Sequence, residues 1–432
     1  MRLLIKGGRV IDPANNLDEV TDILVENKLI SKVAKNIKPD GSRVIDAAGR
    51  IVIPGLVDMH VHLREPGRED KETIPTGTYA AAAGGVTSVL AMPNTDPAPD
   101  TKENTDFIQG LIKDSACVNV FICGAITKGR KGEALADIAG LKKGGAIAIS
   151  DDGSSVESAE LMRQALKDAG KNNLRVICHS EDKMLSAGGV VNSGFTSTRL
   201  GLKGISGESE YKRVERDILL AQETDAPVHI AHVSCKESVE VIASAKKRGV
   251  KVTCETAPHY FALDESCVLG YDPNFKMNPP LRGKDDAAAI RAGLSDGTID
   301  CIASDHAPHT ENEKEIEFDR AEFGVVGLET ELAVSITELL HPGILSWPEI
   351  VRKLSLNPAK ILGIKKGTLS VGADADIAII DPAKEWTVRK EGLYSKSKNS
   401  AFLGRKLKGH VEYTVCSGEV VYTAKELTGS GF

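Results

Sequence analysis

The stretch of residues 51–67, IVIPGLVDMHVHLREPG, constrains the fold of this chain more than any other. An apolar run there leads to His60 and His62, and then to Arg64. Residues two apart on an extended strand point to the same side, so both imidazoles face one point in space. Imidazole nitrogens bind zinc and similar divalent ions, but one pair is too few ligands for a protein metal site. The other ligands must therefore come from distant parts of the chain.

Further side chains that can bind metals follow other strand-like runs. Each comes after several β-branched or small apolar residues, as in AIAISDDG, RVICHSE, VHIAHVS and CIASDHAPH. A single histidine at a strand end is more often a hydrogen-bonded structural residue than a ligand. The same pattern on successive strands argues against independent accidents and predicts one shared metal site. The predicted ligands are His60, His62, Asp152, His179, His232 and Asp305.

Strand-like runs alternate with helical patterns through the middle of the chain. Eight candidate strands begin with LVDMHVH and end with DCIASDHAP, and helical signals separate most of them. In one such helix, Ser234 and Glu237 have the spacing of a capping box, and Gly249 is placed to end it. Eight units predict an α/β fold, a (β/α)₈ TIM-like barrel, whose buried strands read as continuous apolar runs. An open, doubly wound sheet is the alternative, but it would not bring ligands from the first and last strands together.

Both ends of the chain have a different pattern, with short strands separated by Gly, Asn and Asp. Pieces this short are more easily stabilised together than apart, which predicts one small β-sandwich domain formed by both termini. We therefore expect residues 1–54 to form the N-terminal part of the sandwich and residues 361–432 its C-terminal part. The metal-dependent catalytic barrel is expected between them, over residues 55–360.

Composition and charge argue against several classes of function. The formal net charge of -7, without a dense cluster of Lys and Arg, argues against nucleic acid as a partner. No apolar run is long enough to cross a bilayer, and the N-terminal sequence lacks the features of a signal peptide. We therefore expect no membrane partner and a cytoplasmic location. The eight cysteines are scattered without a C-x-x-C pair, which predicts reduced thiols.

The types of ligand indicate a class of reaction. Four neutral histidines and two aspartates are enough for two divalent ions if one carboxylate bridges them. Such ions activate water near neutral pH and polarise a carbonyl oxygen, which indicates metal-assisted amide hydrolysis or its reverse. Asp305 ends the last barrel strand, and we expect it to be a general base in one direction and a general acid in the other. The alternative is that Asp305 only binds metal.

The chain resembles the dihydroorotases of the amidohydrolase superfamily, specifically the class I type. The motifs DMHVHLREPG, MPNTDP, SDDG, ICHSED, AHVS, ETAPHY, NPPLR and SDHAPH match in order across nearly the whole chain. The His-x-His pair occurs throughout the superfamily, whereas LREPG and SDHAPH are much more specific. The resemblance implies a zinc enzyme that reversibly converts N-carbamoyl-L-aspartate to L-dihydroorotate and water, in the de novo synthesis of pyrimidines (UMP).

The resemblance also implies a role for each site residue. One ion would be held by His60, His62, Asp152 and Asp305, and the other by Asp152, His179 and His232. The residues implied around the substrate are His62, Arg64, Asn94, Asn278, His309 and the backbone of Phe323 and Gly324. The planar guanidinium of Arg64 has independent support, because its fork suits a carboxylate beside the metals. The alternative for Arg64 is a surface arginine beside Glu65.

One departure from the superfamily pattern concerns the bridging ligand. Much of the superfamily bridges its two metals with a carboxylated lysine, whereas AIAISDDG offers Asp152 at that place. The aspartate keeps the negative charge but has a shorter reach. We therefore expect one or two divalent ions, zinc, in each subunit, with the ion at His179 and His232 held less tightly.

Two other functions stay open from the sequence. A hydantoinase, dihydropyrimidinase or allantoinase would use the same barrel but needs no carboxylate-binding residue such as Arg64. A non-catalytic scaffold for aspartate transcarbamoylase would be expected to lose ligands, and this chain keeps all six. The expected assembly is a homodimer, and a complex with aspartate transcarbamoylase stays open. The glutamate-rich segment 310–322 is either a lid over the site or an ordinary exposed loop.

Overall fold

The computed structural model describes residues 2–424. Its strands are β1 (Arg2–Asp12), β2 (Leu17–Glu26), β3 (Leu29–Ala34), β4 (Arg43–Asp46), β5 (Ile51–Pro54), β6 (Leu56–Val61), β7 (Val86–Ala91), β8 (Asn119–Ala125), β9 (Ala148–Ser150), β10 (Arg175–Cys178), β11 (Val191–Asn192), β12 (Gly204–Ile205), β13 (Val228–Ile230), β14 (Val252–Thr256), β15 (Cys301–Ile302), β16 (Ile377–Thr387), β17 (Lys406–Cys416) and β18 (Glu419–Thr423). Its α-helices are α1 (Ile74–Ala83), α2 (Lys102–Ser115), α3 (Ile138–Lys143), α4 (Ala159–Lys171), α5 (Lys183–Ser186), α6 (Phe195–Leu200), α7 (Glu208–Thr224), α8 (Lys236–Lys247), α9 (Pro258–Ala262), α10 (Lys284–Asp296), α11 (Glu311–Lys314), α12 (Glu331–Ser335), α13 (Trp347–Val351) and α14 (Asn357–Leu362).

The central part of the chain is a barrel of eight parallel strands. Their order is β6-β7-β8-β9-β10-β13-β14-β15, and every residue of β6, β9 and β13 is buried. The barrel closes where the backbone N–H of His62, just after β6, donates to the carbonyl of His306, just after β15, over 2.9 Å. The predicted barrel is therefore confirmed. The doubly wound alternative is wrong, because an open sheet has no bond between its first and last strands.

The two chain ends form a second, separate sheet. Its order is β18-β17-β16-β5-β1-β2-β3, and β4 pairs with β1. The C-terminal β16 runs antiparallel to the N-terminal β5, with Ile379 opposite Val52. Buried residues of both ends, among them Leu3, Ile23 and Val415, form a hydrophobic core of their own. The predicted β-domain made by both termini is confirmed. Its exact limits at residues 54 and 361 stay a prediction.

The helix that follows β13 begins differently from the prediction. Its N-cap is Cys235, and the buried hydroxyl of Ser234 donates to the Glu210 carboxylate instead. That carboxylate also accepts the backbone N–H of Ser234 over 3.0 Å. A buried hydroxyl gains more from a carboxylate than from capping, because the charged acceptor makes the stronger hydrogen bond. The predicted capping box is therefore wrong, whereas Gly249, with a φ of +77°, follows the end of α8 as expected.

Two predictions about the whole chain can be compared with this fold. All eight cysteines are free thiols, as the sequence predicted. Among residues 2–424 the structure contains no helix that is both apolar enough and long enough to span a bilayer.

Candidate active site

The six predicted metal ligands meet at the carboxyl ends of the barrel strands, and we call them the ligand cluster. In chain order they are His60 in β6, His62 just after β6, Asp152 after β9, His179 after β10, His232 after β13 and Asp305 after β15. All six are buried. Parallel strands end at the same rim of a barrel, which is why residues so far apart in sequence converge there.

Asp152 lies at the centre of the ligand cluster. Its Oδ1 is 3.2 Å from His60 Nε2, and it is 3.5 Å from both His179 Nδ1 and His232 Nε2. Its Oδ2 is 3.5 Å from His62 Nε2. Burial alone would raise the pKa of Asp152, but the surrounding imidazoles lower that pKa well below its usual value. The ionised carboxylate therefore faces imidazoles of both predicted ligand sets.

Asp305 approaches the cluster from the last barrel strand. Its Oδ1 is 3.4 Å from His62 Nε2 and 3.7 Å from His60 Nε2. Burial raises the pKa of Asp305, but the hydrogen bond to His62 and the charge of nearby imidazoles lower that pKa to about 2. The carboxylate is therefore ionised at neutral pH and can accept a proton.

Hydrogen bonds outside the cluster fix the orientation of its first two imidazoles. His60 Nδ1 lies 2.8 Å from Glu255 Oε1, and His62 Nδ1 lies 2.8 Å from the side-chain oxygen of Asn94. Both oxygens accept hydrogen bonds, so each Nδ1 carries the ring proton. When the ring is neutral, each Nε2 therefore turns a lone pair towards the cluster, which is the orientation that metal-binding histidines adopt.

Two buried atoms of the ligand cluster indicate that its residues suit a cation. Within residues 2–424, neither His60 Nε2 nor Asp152 Oδ1 has a hydrogen-bond partner. A buried polar atom without a partner costs about 1–3 kcal/mol. A nitrogen lone pair and an anionic oxygen are both electron donors, and these two lie 3.2 Å apart. His60, His62 and Asp305 also bring one donor atom each to within 4.8 Å of one another, as do His60, Asp152 and His232. The cluster therefore fits divalent metal ions.

Three residues at this site have a strained backbone. The φ angles of Arg64, His232 and Asp305 are +62°, +35° and +48°, in the left-handed region that non-glycine residues rarely adopt. Each such residue costs about 1–3 kcal/mol and persists only where the surrounding structure imposes it. Because such residues concentrate at functional sites, the strain points to this rim independently of side-chain chemistry.

Arg64 and His309 lie beside the ligand cluster, and we call them the Arg64–His309 pair. The Nη2 of Arg64 is 3.4 Å from the Nε2 of His309, and the Nε of Arg64 donates to the Pro308 carbonyl over 3.2 Å. The Nε2 of His309 is also 2.8 Å from the carbonyl oxygen of Phe323. Burial lowers the pKa of Arg64 to about 10, so its guanidinium keeps its charge at neutral pH.

The other residues expected around the substrate lie nearby and contact protein groups. The Nδ2 of Asn278 donates to Glu181 Oε1 over 3.3 Å, and Glu181 Oε2 is 3.4 Å from His179 Nε2. Gly324 has a φ of +138°, and a side chain there would meet the Cβ of Ala307 at 2.7 Å. The backbone carbonyls of residues 323 and 324 already accept hydrogen bonds from the protein. Substrate contacts at these positions stay a prediction.

Sequence reasoning missed two residues that support the site. Glu255 bonds His60, and its second oxygen is 3.2 Å from His229 Nε2. Lys71 is buried, and its Nζ lies 3.0 Å from His309 Nδ1. A carboxylate inside the short strand-like run VTCET was the signal that could have identified Glu255, because a buried charge needs a partner. Lys71 lies in a turn before α1, where no local pattern marks it.

The glutamate-rich segment 310–322 contains α11 and packs against the site. Lys314 in α11 is buried, and its Nζ donates to the carbonyls of Glu322 and Gly324, each over 2.9 Å. A cavity of about 930 Å³ adjoins this segment and is lined by His309 but by no member of the ligand cluster. The segment is thus anchored by a buried lysine, and its opening as a lid stays a prediction.

Comparison with known proteins agrees with this fold. Residues 49–238 match the family described as dihydro-orotase-like, and residues 266–422 match the amidohydrolase family. The solved structure of an L-hydantoinase (dihydropyrimidinase) from Arthrobacter aurescens has a TM-score of 0.87 and 25% identity, covering 97% of this chain and 95% of that one. A D-hydantoinase from a Bacillus sp. AR9 has a TM-score of 0.85 and 26% identity, covering 98% and 95%. The barrel is thus that of an amidohydrolase.

Comparison with curated relatives gives a narrower family. The dihydroorotase of Geobacter metallireducens is 55% identical over 98% of this chain and 100% of its own length. The dihydroorotase of Elusimicrobium minutum is 53% identical over 97% of each chain. At this identity and coverage, the chain belongs to the dihydroorotase family.

Proposed function

We propose that the chain catalyses the reversible cyclisation of N-carbamoyl-L-aspartate to L-dihydroorotate, with release of water, in the de novo synthesis of pyrimidines. The observation that carries this proposal is the position of the Arg64–His309 pair beside the ligand cluster. The cluster supports amide chemistry on many cyclic substrates. The pair adds a cation and a polar ring, and these suit a substrate that carries a carboxylate on the same ring as the amide.

The proposed metal chemistry rests on the ligand cluster. His60, His62, Asp152 and Asp305 would hold one divalent ion, and the second ion would share Asp152 with His179 and His232. When bound, divalent ions would polarise the amide carbonyl and lower the pKa of a water molecule. We propose zinc, because neutral imidazoles and carboxylates are ligands that zinc accepts.

Asp305 is the proposed proton carrier. In ring opening, its carboxylate accepts a proton from the water that attacks the ring carbonyl carbon, and it then gives that proton to the ring nitrogen as the C–N bond breaks. In cyclisation, the carbamoyl nitrogen attacks the carbon of the side-chain carboxyl group. Asp305 takes a proton from that nitrogen and passes it to the departing oxygen. The oxygen leaves as water after taking one more proton from solution. An ionised carboxylate at the strand end supports this role.

A neutral cyclic amide is the main rival substrate. The solved hydantoinase structures share the barrel, so the fold does not separate the two functions. The half-buried guanidinium of Arg64 favours dihydroorotate, because a neutral ring offers it no carboxylate to bind. The test is to compare kcat/KM for dihydroorotate, dihydrouracil and allantoin with the same metal-loaded protein. Preference for dihydroorotate supports the proposal, and preference for a neutral ring contradicts it.

A non-catalytic scaffold is the rival from a different class. It would have no need to keep six ligands together, whereas here they are buried within one cluster. The matching test is the cyclisation of carbamoyl aspartate by the purified chain in the absence of any transcarbamoylase. Turnover by the chain alone supports the enzyme, and no turnover with a fully metal-loaded site supports the scaffold.

We also propose that the chain is cytoplasmic and that it assembles with a second copy or with a partner enzyme. The cytoplasm is supported by eight free cysteines, which suit a reducing compartment. A homodimer, or a complex with aspartate transcarbamoylase, would need an exposed apolar surface. After β10, Met184 and Phe195 are 89% and 77% exposed, and we propose them as apolar contacts for such an assembly. Light scattering of the chain alone, and then mixed with a transcarbamoylase, tests both assemblies.

A further inference from the structure

His309 has a defined proton position in this structure. Its Nε2 lies 2.8 Å from the carbonyl oxygen of Phe323, which can only accept a hydrogen bond. Its Nδ1 lies 3.0 Å from the Nζ of Lys71, an ammonium group that can only donate. Both neighbours therefore require the same neutral tautomer, with the proton on Nε2 and a lone pair on Nδ1.

Two other neighbours would suit the opposite tautomer, and both are farther away. The Nη2 of Arg64 is 3.4 Å from Nε2 and could donate to it only if Nε2 had no proton. The Oε2 of Glu313 is 3.5 Å from Nδ1 and could accept only if Nδ1 were protonated. The contacts with Phe323 and Lys71, at 2.8 and 3.0 Å, are shorter and decide the tautomer.

Lys71 is held firmly in the position from which it contacts His309. It is 4% exposed, and its Nζ is also 3.0 Å from Glu313 Oε1. Arg68 binds the same carboxylate oxygen over 2.7 Å, and the backbone N–H of Thr310 donates to the other oxygen over 3.1 Å. The ammonium group thus lies between the imidazole and the carboxylate. It stabilises the carboxylate and at the same time separates it from Nδ1.

We propose that Lys71 is a positioning residue for substrate binding, which keeps His309 in the tautomer that presents Nε2–H beside the guanidinium of Arg64. This inference rests on the proposed function, because it assigns Lys71 to recognition of the substrate carboxylate. In this tautomer Arg64 Nη2 and His309 Nε2 both carry protons, so neither can accept from the other. Two donors 3.4 Å apart that cannot bond each other form a site for an anionic acceptor, which would share the Nε2 proton of His309 with the Phe323 carbonyl.

Glu313 distinguishes the proposed role of Lys71 from simple packing, because its carboxylate competes with the Lys71 ammonium for Nδ1 of His309. Without the Lys71 ammonium, the Glu313 carboxylate is the polar group left beside Nδ1, at 3.5 Å. It would then accept a proton from Nδ1 and leave a lone pair on Nε2. That lone pair would repel the substrate carboxylate. A residue that only packed the turn before α1 would have no such dependence on Glu313.

The first experiment measures the tautomer directly and needs no substrate. Protein labelled with ¹⁵N-histidine is compared with His309→Asn to assign the two ring nitrogens of His309 by NMR. Wild type and Lys71→Arg are expected to carry the proton on Nε2, because arginine also donates to Nδ1. Lys71→Met is expected to carry it on Nδ1. A wild-type His309 protonated on Nδ1, or an unchanged tautomer in folded Lys71→Met, would overturn the proposal.

The second experiment measures recognition. Lys71→Met should raise the KM for dihydroorotate about 10-fold with little change in kcat, since the carboxylate is remote from the breaking bond. Lys71→Met with Glu313→Gln should recover much of this loss, because the glutamine amide can donate to Nδ1. Equal losses of kcat and kcat/KM in Lys71→Met, or no recovery in the double variant, would contradict the proposal. A wild type inactive on dihydroorotate would reject the proposed function and leave the NMR result standing.

Discussion

The ligand cluster and the Arg64–His309 pair are neighbours that differ in their polar atoms. The cluster has an excess of acceptors, and the pair has an excess of donors. The cluster gathers lone pairs and carboxylates, and the buried Asp152 Oδ1 at its centre has no hydrogen-bond donor within residues 2–424. The pair gathers donors, and its two nearest atoms, 3.4 Å apart, cannot bond each other in the tautomer that the neighbours impose. One region therefore needs cations and the other needs an anion. The difference shows how a common barrel can be adapted to one charged substrate.

The largest loss of activity should come from substitution of Asp305, the predicted metal ligand that is also the proposed proton carrier. Asp305→Ala should lower kcat by about 10³-fold or more, because general acid-base catalysis contributes about 10²–10⁴-fold and a metal ligand is lost as well. Steady-state assays in both directions measure this effect. Asp305→Asn, which keeps the shape of the side chain, is the matched control for packing. Substantial activity in either variant would refute the role of Asp305.

The next largest effect is on metal affinity and concerns Glu255, which orients His60 from outside the ligand cluster. Glu255→Gln should weaken metal binding about 10- to 100-fold, because His60 loses the carboxylate that holds its Nδ1 proton. Titration of the apoprotein with zinc, followed by calorimetry, measures the affinity. Glu240→Gln, an exposed substitution in α8, is the control and should leave the affinity unchanged. Equal affinities for all three proteins would show that Glu255 does not orient the ligand.

A comparable change, a rise in KM that is confined to charged substrates, is expected when Arg64 of the Arg64–His309 pair is substituted. Arg64→Met should raise the KM for dihydroorotate about 10- to 100-fold, since a hydrogen bond to a charged group contributes about 1.5–3 kcal/mol. Hydrolysis of dihydrouracil should change little. Arg64→Lys keeps the charge but loses the planar fork, and it should fall between the two. Equal losses on both substrates would mean that Arg64 does not select the carboxylate.

A smaller effect is a difference in metal affinity between the two predicted metal positions. Partial chelation should first remove the ion near His179 and His232, which shares Asp152 instead of a longer carboxylated lysine. Metal analysis during chelation, with His179→Asn as a reference for loss of one position, measures the order. Simultaneous loss of both ions would count against weaker binding at this position.

The smallest effect uses a buried carboxyl group outside the cluster. Both oxygens of Glu331 lack a hydrogen-bond partner within the described residues. Burial, together with Asp58 and Glu255, raises the pKa of Glu331 well above its usual value. A raised carboxyl pKa means that stability falls as pH rises above the unfolded value of about 4.3. Glu331→Met should therefore stabilise the protein by about 1 kcal/mol at pH 8 and less at pH 4. Thermal unfolding at both pH values measures this effect, and a destabilised variant at pH 8 would contradict it.

The sequence predicted the barrel and the ligand cluster because both depend on local patterns. An apolar run followed by a histidine or aspartate identifies a strand end, and the barrel then brings strand ends together. The partners of these residues could not be predicted in the same way. His60 and Glu255 are 195 residues apart, and Lys71 and His309 are 238 apart. Such contacts depend on how the barrel closes and how the following loops pack, which no short stretch of sequence records.

The capping box that failed has a similar explanation. Ser234 has the right spacing from Glu237, but its hydroxyl is buried beside Glu210 from another helix. A local pattern could not show that a carboxylate from another helix would compete for the hydroxyl. The prediction was therefore sound for an isolated helix and wrong for this fold.

The most direct test of the account is the anomalous diffraction of zinc-loaded crystals at the zinc absorption edge. We predict one or two strong peaks enclosed by the ligand cluster, each next to Asp152. We also predict that soaking with dihydroorotate places a carboxylate against Arg64 and His309. Zinc peaks only at the surface, or a carboxylate bound away from that pair, would contradict the account.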